Sequence, residues 1–259
     1  MSQNKETAVE FHDVSYSPNE RPIVSGLNFS IRQGESLVLL GRSGCGKTTT
    51  MKLINRLLTP SQGEVRVEGT PTTKWDPIKL RRRIGYVIQE TGLFPHYTVE
   101  ANVGIVPTLE GWKPKQVKTR AHELLNLVGL DPAKYANRYP HELSGGQRQR
   151  VGVARALAAD PPMMLMDEPF GALDPITRLD LQKQFHRLQQ ELGKTVIFVT
   201  HDIQEAFALG TRIGLMHEGR MAVLGTPAEF LRSQDQEALA FLQCLQAMEH
   251  TRRKAVNKG

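Results

Sequence analysis

Residues 41–48 read Gly41-Arg42-Ser43-Gly44-Cys45-Gly46-Lys47-Thr48. They follow the apolar run Leu37–Leu40 and precede a segment from about Lys47 to Leu57 with helical character. The stretch fits the pattern G-x4-G-K-[ST] between a strand and a helix. Glycines there let backbone N–H groups converge on phosphate oxygens, and the start of the helix adds its own favourable field. Lys47 is expected to reach the β- and γ-phosphates, and Thr48 to offer its hydroxyl to Mg²⁺. The rest of the loop, with Thr49, completes the expected nucleotide-binding set. Cys45 reads as a small loop residue. A glycine-rich turn with a chance lysine is the plain alternative, and the complete pattern in its proper context disfavours it. The pattern specifies a nucleotide phosphate site and not the use made of it.

Two further clusters bear on that use. Met163-Met164-Leu165-Met166-Asp167-Glu168 reads as a buried strand ending in adjacent carboxylates. Beside such a loop, Asp167 is placed to hold Mg²⁺ through its water shell. Glu168 is placed to orient and deprotonate an attacking water. Leu143-Ser144-Gly145-Gly146-Gln147 opens a helix running to about Ala158. Ser144 and Gln147 make a capping box, which is a structural account. It explains Gly145 and Gly146 poorly, since each costs about 1 kcal/mol relative to alanine inside a helix. A phosphate approaching bare backbone explains them better, and implies a nucleotide site built from two parts.

The flanking sequence organises around these clusters. Val9, Phe11 and Val14, then Leu27, Phe29 and Ile31, then Val65 and Val67, read as strands. Another strand spans Ile84–Ile88, with an irregular stretch from Glu90 to His96 behind it. Residues 98–160 read as helical, with Val117, Ala121, Leu124, Leu125 and Val128 on one face behind Pro114. Strand 163–166, helix 175–191, strand 195–199 and helix 202–208 then alternate, the pattern of an α/β domain with a mainly parallel sheet. Ala238, Leu239, Phe241, Leu242 and Leu245 mark a short terminal helix ahead of a basic tail.

The 259 residues carry net charge +6 and are 39% hydrophobic, enough for one large core. No apolar run approaches the roughly 18–20 residues that span a bilayer. The first ten residues lack the apolar core of a signal peptide. Cys45 and Cys244 stand far apart, without metal-ligand spacing, and suggest a reduced compartment. A cytoplasmic location is therefore expected. The clusters Arg81-Arg82-Arg83 and Arg252-Arg253-Lys254 with Lys258 read as solvated surface.

Taken together, LSGGQ at 143–147, the phosphate loop and Asp167-Glu168 resemble the nucleotide-binding domain of ABC ATPases. Further motifs of that family occur in order: Gln89 resembles its Q-loop glutamine, Gly171-Ala172-Leu173-Asp174 its D-loop, and His201 its switch histidine. The resemblance covers roughly residues 8–235. It implies an α/β P-loop NTPase fold with a mainly parallel core sheet. An N-terminal antiparallel β subdomain and a helical signature subdomain over roughly 98–160 belong to it. Residues 1–235 would form the ATPase domain and 236–259 a short helix and basic tail, without a further regulatory domain.

The resemblance also implies roles. Two copies would pair head to tail, with Ser144, Gly145, Gly146 and Gln147 meeting ATP held by the other copy's Lys47. Glu168, His201 and Gln89 would serve catalysis, Thr48, Gln89 and Asp167 the Mg²⁺, and Asp174 the link between sites. The adenine-stacking aromatic of the family would be Tyr16, unless Tyr16 packs in the first strand; Pro18 stands about where that aromatic often falls. Integral-membrane permease subunits and, indirectly, an extracytoplasmic solute-binding protein are the implied partners, at the cytoplasmic side of the cell (inner) membrane. SGCGKTTTMKLINRL, LRRRIGYVIQETGLFPHYTV, RYPHELSGGQRQRVGVARALAADPP and LMDEPFGALDPITR are similar to importer ATPases for quaternary-amine osmoprotectants such as glycine betaine, choline and carnitine. The alternatives are an importer for sulfonate, oxyanion or amino acid, and a soluble ABC ATPase acting on DNA or ribosomes. The latter needs a long coiled coil or a second domain, so no nucleic-acid partner is expected.

Overall fold

The computed structural model describes residues 6–89, 92–171 and 173–256, without the side chains of residues 188, 190–192 and 247–256. In chain order the elements are β1 (Thr7–Tyr16), β2 (Val24–Arg32), β3 (Ser36–Leu40), α1 (Lys47–Ile54), β4 (Gln62–Val67), β5 (Thr70–Pro71) and α2 (Pro77–Arg82). Next come β6 (Ile84–Val87), α3 (Val99–Leu109), α4 (Pro114–Leu127), α5 (Pro132–Tyr135), α6 (Gly145–Leu157) and β7 (Met163–Asp167). The chain closes with α7 (Pro175–Leu192), β8 (Thr195–Thr200), α8 (Ile203–Leu209), β9 (Arg212–His217), β10 (Arg220–Gly225), α9 (Pro227–Leu231) and α10 (Gln236–Val256). They fall into two compact units, residues 1–71 with 198–259, and residues 72–197. No helix among the described residues is long and apolar enough to cross a membrane.

The first unit contains an antiparallel sheet in the order β2-β1-β4-β5. The apolar residues read as strands point inward: Val9, Phe11, Val14, Leu27 and Ile31 are buried, and a register shift between Phe11 and Val14 brings Val14 to the same face. Phe11 pairs across to Phe29, and their rings stack 4.4 Å apart. The fully buried β3 pairs in parallel with β9, Leu37 opposite Arg212 through Leu40 opposite Leu215. β10 returns antiparallel on β9. Their two-residue turn, Glu218-Gly219, has positive φ at both positions, the twist that suits a tight hairpin. Helix α1 stops at Ile54, three residues before the reading from sequence, because Arg56 turns left-handed at φ 53°. The terminal helix α10 runs for 21 residues, well past its apolar positions.

In the second unit β6 and β7 pair in parallel, Ile84 opposite Met163 through Val87 opposite Met166. Helices α3, α4 and α6 pack on one another, and α6 packs on β6. Helix starts follow a local code. Asp76, Asp131 and Asp174 each accept a backbone N–H while the next residue, a proline, occupies the first helical position. Thr98 and Ser144 cap α3 and α6 the same way without a proline.

One buried polar residue shapes the path after β6. Asn102 is fully buried in α3. Its Oδ1 accepts from Phe94 N–H at 2.7 Å, and its Nδ2 donates to the carbonyls of Phe94, Tyr97 and Thr98 at 3.0–3.1 Å. Replacing it removes the partners of these part-buried backbone groups. Asn102→Leu should therefore lower stability by about 2–4 kcal/mol. A fall in the urea midpoint at unchanged m would show it; an unaltered midpoint would contradict the buried network.

Candidate nucleotide site

The first unit carries residues 41–49, Tyr16 and His201. The phosphate loop leaves the buried end of β3 at Gly41. A Cβ there would lie 2.4 Å from the Met216 carbonyl oxygen and 2.7 Å from Cys45 Sγ, so only glycine fits. Gly46 turns into α1 at φ +101°, with the Ile23 carbonyl oxygen 2.9 Å from where its Cβ would stand. The loop closes on Lys47, which is 4% exposed. Its Nζ donates to the carbonyls of Gly41 at 2.7 Å and Arg42 at 2.9 Å, with Cys45 Sγ 4.0 Å away. Burial pushes the Cys45 thiol pKa up, against the opposing pull of Lys47.

Arg42, Ser43 and Gly44 are exposed, and Thr48 and Thr49 half-buried. The loop's far side is secured by Gly219 N–H donating to the Cys45 carbonyl at 3.2 Å. Tyr16 is half-buried and pairs across β1–β2 with Val24, whose Cγ2 is 3.1 Å from a Cβ built on Gly46. Tyr16 thus lies at the strand end nearest the loop. His201 is exposed at the turn from β8 into α8. That turn is fixed by Asp202 N–H donating to Thr200 Oγ1 at 3.0 Å, and by Asp202 Oδ1 accepting from Gln204 N–H at 2.8 Å.

The second unit carries Gln89, residues 144–147, Asp167, Glu168 and Asp174. Asp167 ends β7 as a buried carboxylate. The neighbouring Tyr86 phenol is pushed up to about 12, first by burial and then by the Asp167 charge, and so stays protonated. Glu168 adopts φ +43°, the left-handed region that non-glycine residues avoid. Its carbonyl accepts from Gly171 N–H at 3.1 Å. Gln89 Nε2 lies 3.4 Å from Glu168 Oε2, a long contact that brings together two residues 79 positions apart.

At the start of α6, Ser144 Oγ accepts from Gln147 N–H at 3.3 Å while Gln147 Oε1 accepts from Ser144 N–H at 3.0 Å. Gln147 Nε2 also donates to the Tyr135 hydroxyl at 3.2 Å. Asp174 Oδ1 accepts from Thr177 N–H at 3.0 Å. The Thr177 side chain in turn fills the space beside Gly146. The helix starts bearing Gly146 and Asp174 are thereby adjacent. Ala172, part of the motif with Asp174, and residues 90–91 behind Gln89 lie outside the described residues. So do the side chains of Arg252, Arg253 and Lys254, and Lys258 entirely.

The sequence reading missed the residues that hold these segments in place. Arg155 of α6 donates to the Gly92 carbonyl at 2.6 Å, tying the helix to the chain just past Gln89. Burial lowers its pKa. A charged residue among Val151, Val153, Ala154 and Ala156 was the available sign, as was Asn102 among the apolar residues of α3.

A family model described as ABC transporter matches residues 24–171. The chain belongs to the ABC transporter family. The ABC relationship extends to the choline transport ATP-binding protein OpuBA of Bacillus subtilis, 55% identical over 210 residues, 81% of this chain and 55% of that protein. The glycine betaine uptake system ATP-binding protein YehX of Escherichia coli is 48% identical over 223 residues, 86% of this chain and 72% of that one. Among solved structures, the dimeric post-hydrolysis state of the ATP-binding cassette MJ0796 bound to ADP and Pi aligns at TM-score 0.76 and 35% identity, covering 84% of this chain and 98% of that one. The chain spans just over half the length of OpuBA. The fold expected of an ABC ATPase cassette, parallel strands with an antiparallel sheet and helices, is the one observed.

The two signature glycines differ physically. A Cβ on Gly145 would meet nothing within 4 Å, whereas one on Gly146 would lie 2.5 Å from Thr177 Cγ2. Packing within the unit therefore accounts for Gly146 but not for Gly145. Gly145→Ala should leave stability unchanged or raise it by up to about 1 kcal/mol. Gly146→Ala should lower it by about 1–3 kcal/mol. Thermal unfolding of both variants without nucleotide checks this; a marked loss for Gly145→Ala would overturn the distinction.

Proposed function

We propose that the chain is the ATP-hydrolysing subunit of an ABC importer for quaternary-amine osmoprotectants, acting at the cytoplasmic face of the membrane through a separate permease. The observation that carries the ATPase reading is the buried Lys47 ammonium, held by the carbonyls of Gly41 and Arg42 at the start of α1. An ammonium has three N–H bonds. Two are used on the loop, and the remaining neighbour, Cys45 Sγ at 4.0 Å, is a weak acceptor that a phosphate oxygen would displace. The loop N–H groups and the α1 terminus would take the other phosphate oxygens.

The oxygen donors suit Mg²⁺, which usually takes one or two protein ligands together with substrate phosphates and waters. Thr48 and Asp167 would supply them, with Gln89 in the water shell. When bound, the ion would neutralise charge developing on the phosphates. Glu168 would take the proton of the attacking water, with the Gln89 amide beside its carboxylate. His201 would donate to the γ-phosphate, and Ser144, Gly145 and Gly146 would meet the ATP of a second copy. Tyr16 would stack on adenine. Residues 1–235 would act together as one ATPase domain.

The second unit would also receive the permease. A cavity of about 370 Å³ is lined by Tyr86, Ile88, Gly92, Phe94, Leu109 and Arg155 among others. Phe94 and Leu109 expose apolar surface there. A short permease helix inserted in it would touch both the strand leading to Gln89 and the helix that begins at the signature. The solute class rests on the names of the relatives.

Two experiments test this reading. Glu168→Gln keeps size and hydrogen bonding but removes the base, which contributes roughly 10²–10⁴-fold in rate. Hydrolysis should fall by that factor while MgATP still binds, and ATP should shift the protein from monomer to dimer on size exclusion. Lys47→Ala in the same background should abolish the shift; wild-type turnover by Glu168→Gln would exclude this carboxylate as the base. Reconstituted with its permease and binding protein, the transporter should take up labelled betaine, choline or carnitine on addition of ATP. Robust uptake of another solute class and none of these would refute the osmoprotectant assignment.

A further inference from the structure

Glu237, in the first turn of α10, reaches the phosphate loop. Its carboxylate accepts from Arg42 Nε at 2.6 Å and from Arg42 Nη2 at 3.3 Å. This is the two-point geometry in which a guanidinium and a carboxylate match best. The Glu237 side chain is 13% exposed and that of Arg42 67%, so the acid is the anchored member of the pair. Its backbone is anchored too, because Asp235 Oδ1 accepts from the N–H groups of Glu237 and Ala238, each at 3.0 Å. The buried Ala238 and Leu242 seat the helix, which packs against α8. His217 Nδ1, at the end of β9, lies 3.8 Å from Glu237 Oε2. The hydrogen bond and charge of Glu237 raise the Arg42 pKa.

The contact leads directly to the lysine. Arg42 is the residue whose carbonyl accepts from Lys47 Nζ at 2.9 Å. An unbroken chain of contacts therefore runs from α10 through Glu237 and Arg42 to Lys47. We propose that Glu237 is a positioning residue for nucleotide binding, holding Arg42 so that the loop carbonyls keep Lys47 ready for the phosphates. The proposal rests on reading residues 41–48 as the ATP phosphate loop. A loop fixed beforehand loses less freedom when the ligand arrives, so the pair raises affinity without touching the ligand. It gives part of the chain beyond the 24–171 family match a part in the reaction.

The test uses the full chain, with MgATP affinity measured by displacement of a fluorescent ATP analogue and with KM and kcat measured separately. Glu237→Gln should weaken MgATP binding about 2- to 5-fold, the range for a partly exposed ion pair. KM should rise accordingly, with kcat within about 2-fold and the unfolding midpoint without nucleotide unchanged. Arg42→Ala should lose as much, and the double variant R42A/E237Q no more than either alone. The exchange R42E/E237R should recover affinity to within about 2-fold of the wild type. Wild-type affinity in Glu237→Gln, or losses that simply add in the double variant, would overturn the proposal. Lys47→Ala separates the two levels. If it binds MgATP normally, the reading of the loop is wrong; if it alone loses binding, only the role of Glu237 fails.

Discussion

A buried ammonium group must find acceptors, because leaving water unpaired costs several kcal/mol. Lys47 finds them in main-chain carbonyls, and much of the first unit follows from that choice. A carboxylate partner would cancel the charge, whereas carbonyl dipoles hold the cation in place and leave it positive. For two successive carbonyls to face one side chain, the loop must curl tightly around it. The curl leaves no room for a Cβ at Gly41, where the Met216 carbonyl oxygen closes in to 2.4 Å. It also needs the left-handed turn at Gly46 to bring the chain back into α1. The neighbours that press on these glycines are placed by the strands: Met216 lies within β9, which pairs with β3, and Ile23 stands immediately ahead of β2 with its N–H donating to the Tyr16 carbonyl at 2.9 Å. The sheets are thus the mould in which the phosphate loop is cast.

The second unit solves a related problem, holding an irregular segment without regular pairing. Among the described residues between β6 and Thr98 there is no strand or helix. Asn102 substitutes for a missing strand partner by presenting one acceptor and two donors to that segment's backbone. Arg155 does the same for the Gly92 carbonyl with a charge-assisted bond. Both anchors sit on helices, Asn102 on α3 and Arg155 on α6. Gln89 lies at the start of the segment and the signature at the start of α6, so these two candidate elements share one support.

What could be read in the sequence was what local chemistry dictates. The glycines and lysine of residues 41–48, the alternation in β2, and the helix start at Pro114 each state their structure within a few residues. The β9–β10 hairpin went unread because Glu218-Gly219 is a weak turn pair and β9 is a nearly continuous apolar run, ambiguous between strand and buried helix. The early end of α1 was hidden in Arg56, an ordinary residue in a left-handed conformation. Contacts between distant residues left no local trace at all. Glu237 and Arg42 are 195 positions apart, and Tyr135 and Gln147 meet across an intervening loop. Neither pair has a periodicity or spacing to betray it.

The start of α6 shows how a structural and a functional account of one motif can both hold, because they use different atoms. Gln147 spends both ends of its amide internally, the oxygen on Ser144 N–H and the nitrogen on the Tyr135 hydroxyl. Arg148 Nη1 secures the other side by donating to the Leu143 carbonyl at 2.7 Å. These groups build the turn, and Gln147 keeps one amide N–H beyond the bonds named here. Ser144 Oγ accepts from Gln147 N–H, which leaves its hydroxyl proton to donate elsewhere. Gly145 and Gly146 stand in the first turn, where backbone N–H groups have no intrahelical acceptor. The donors suited to an anion are therefore those the capping box does not consume. Packing against Thr177 gives Gly146 a reason to be glycine in the absence of any ligand, and Gly145 has no such reason within its unit. Open space beside a bare backbone N–H at a helix start is what an approaching phosphate requires. Gly145, the residue with the least structural justification, is thus the part of the motif on which a functional reading presses hardest.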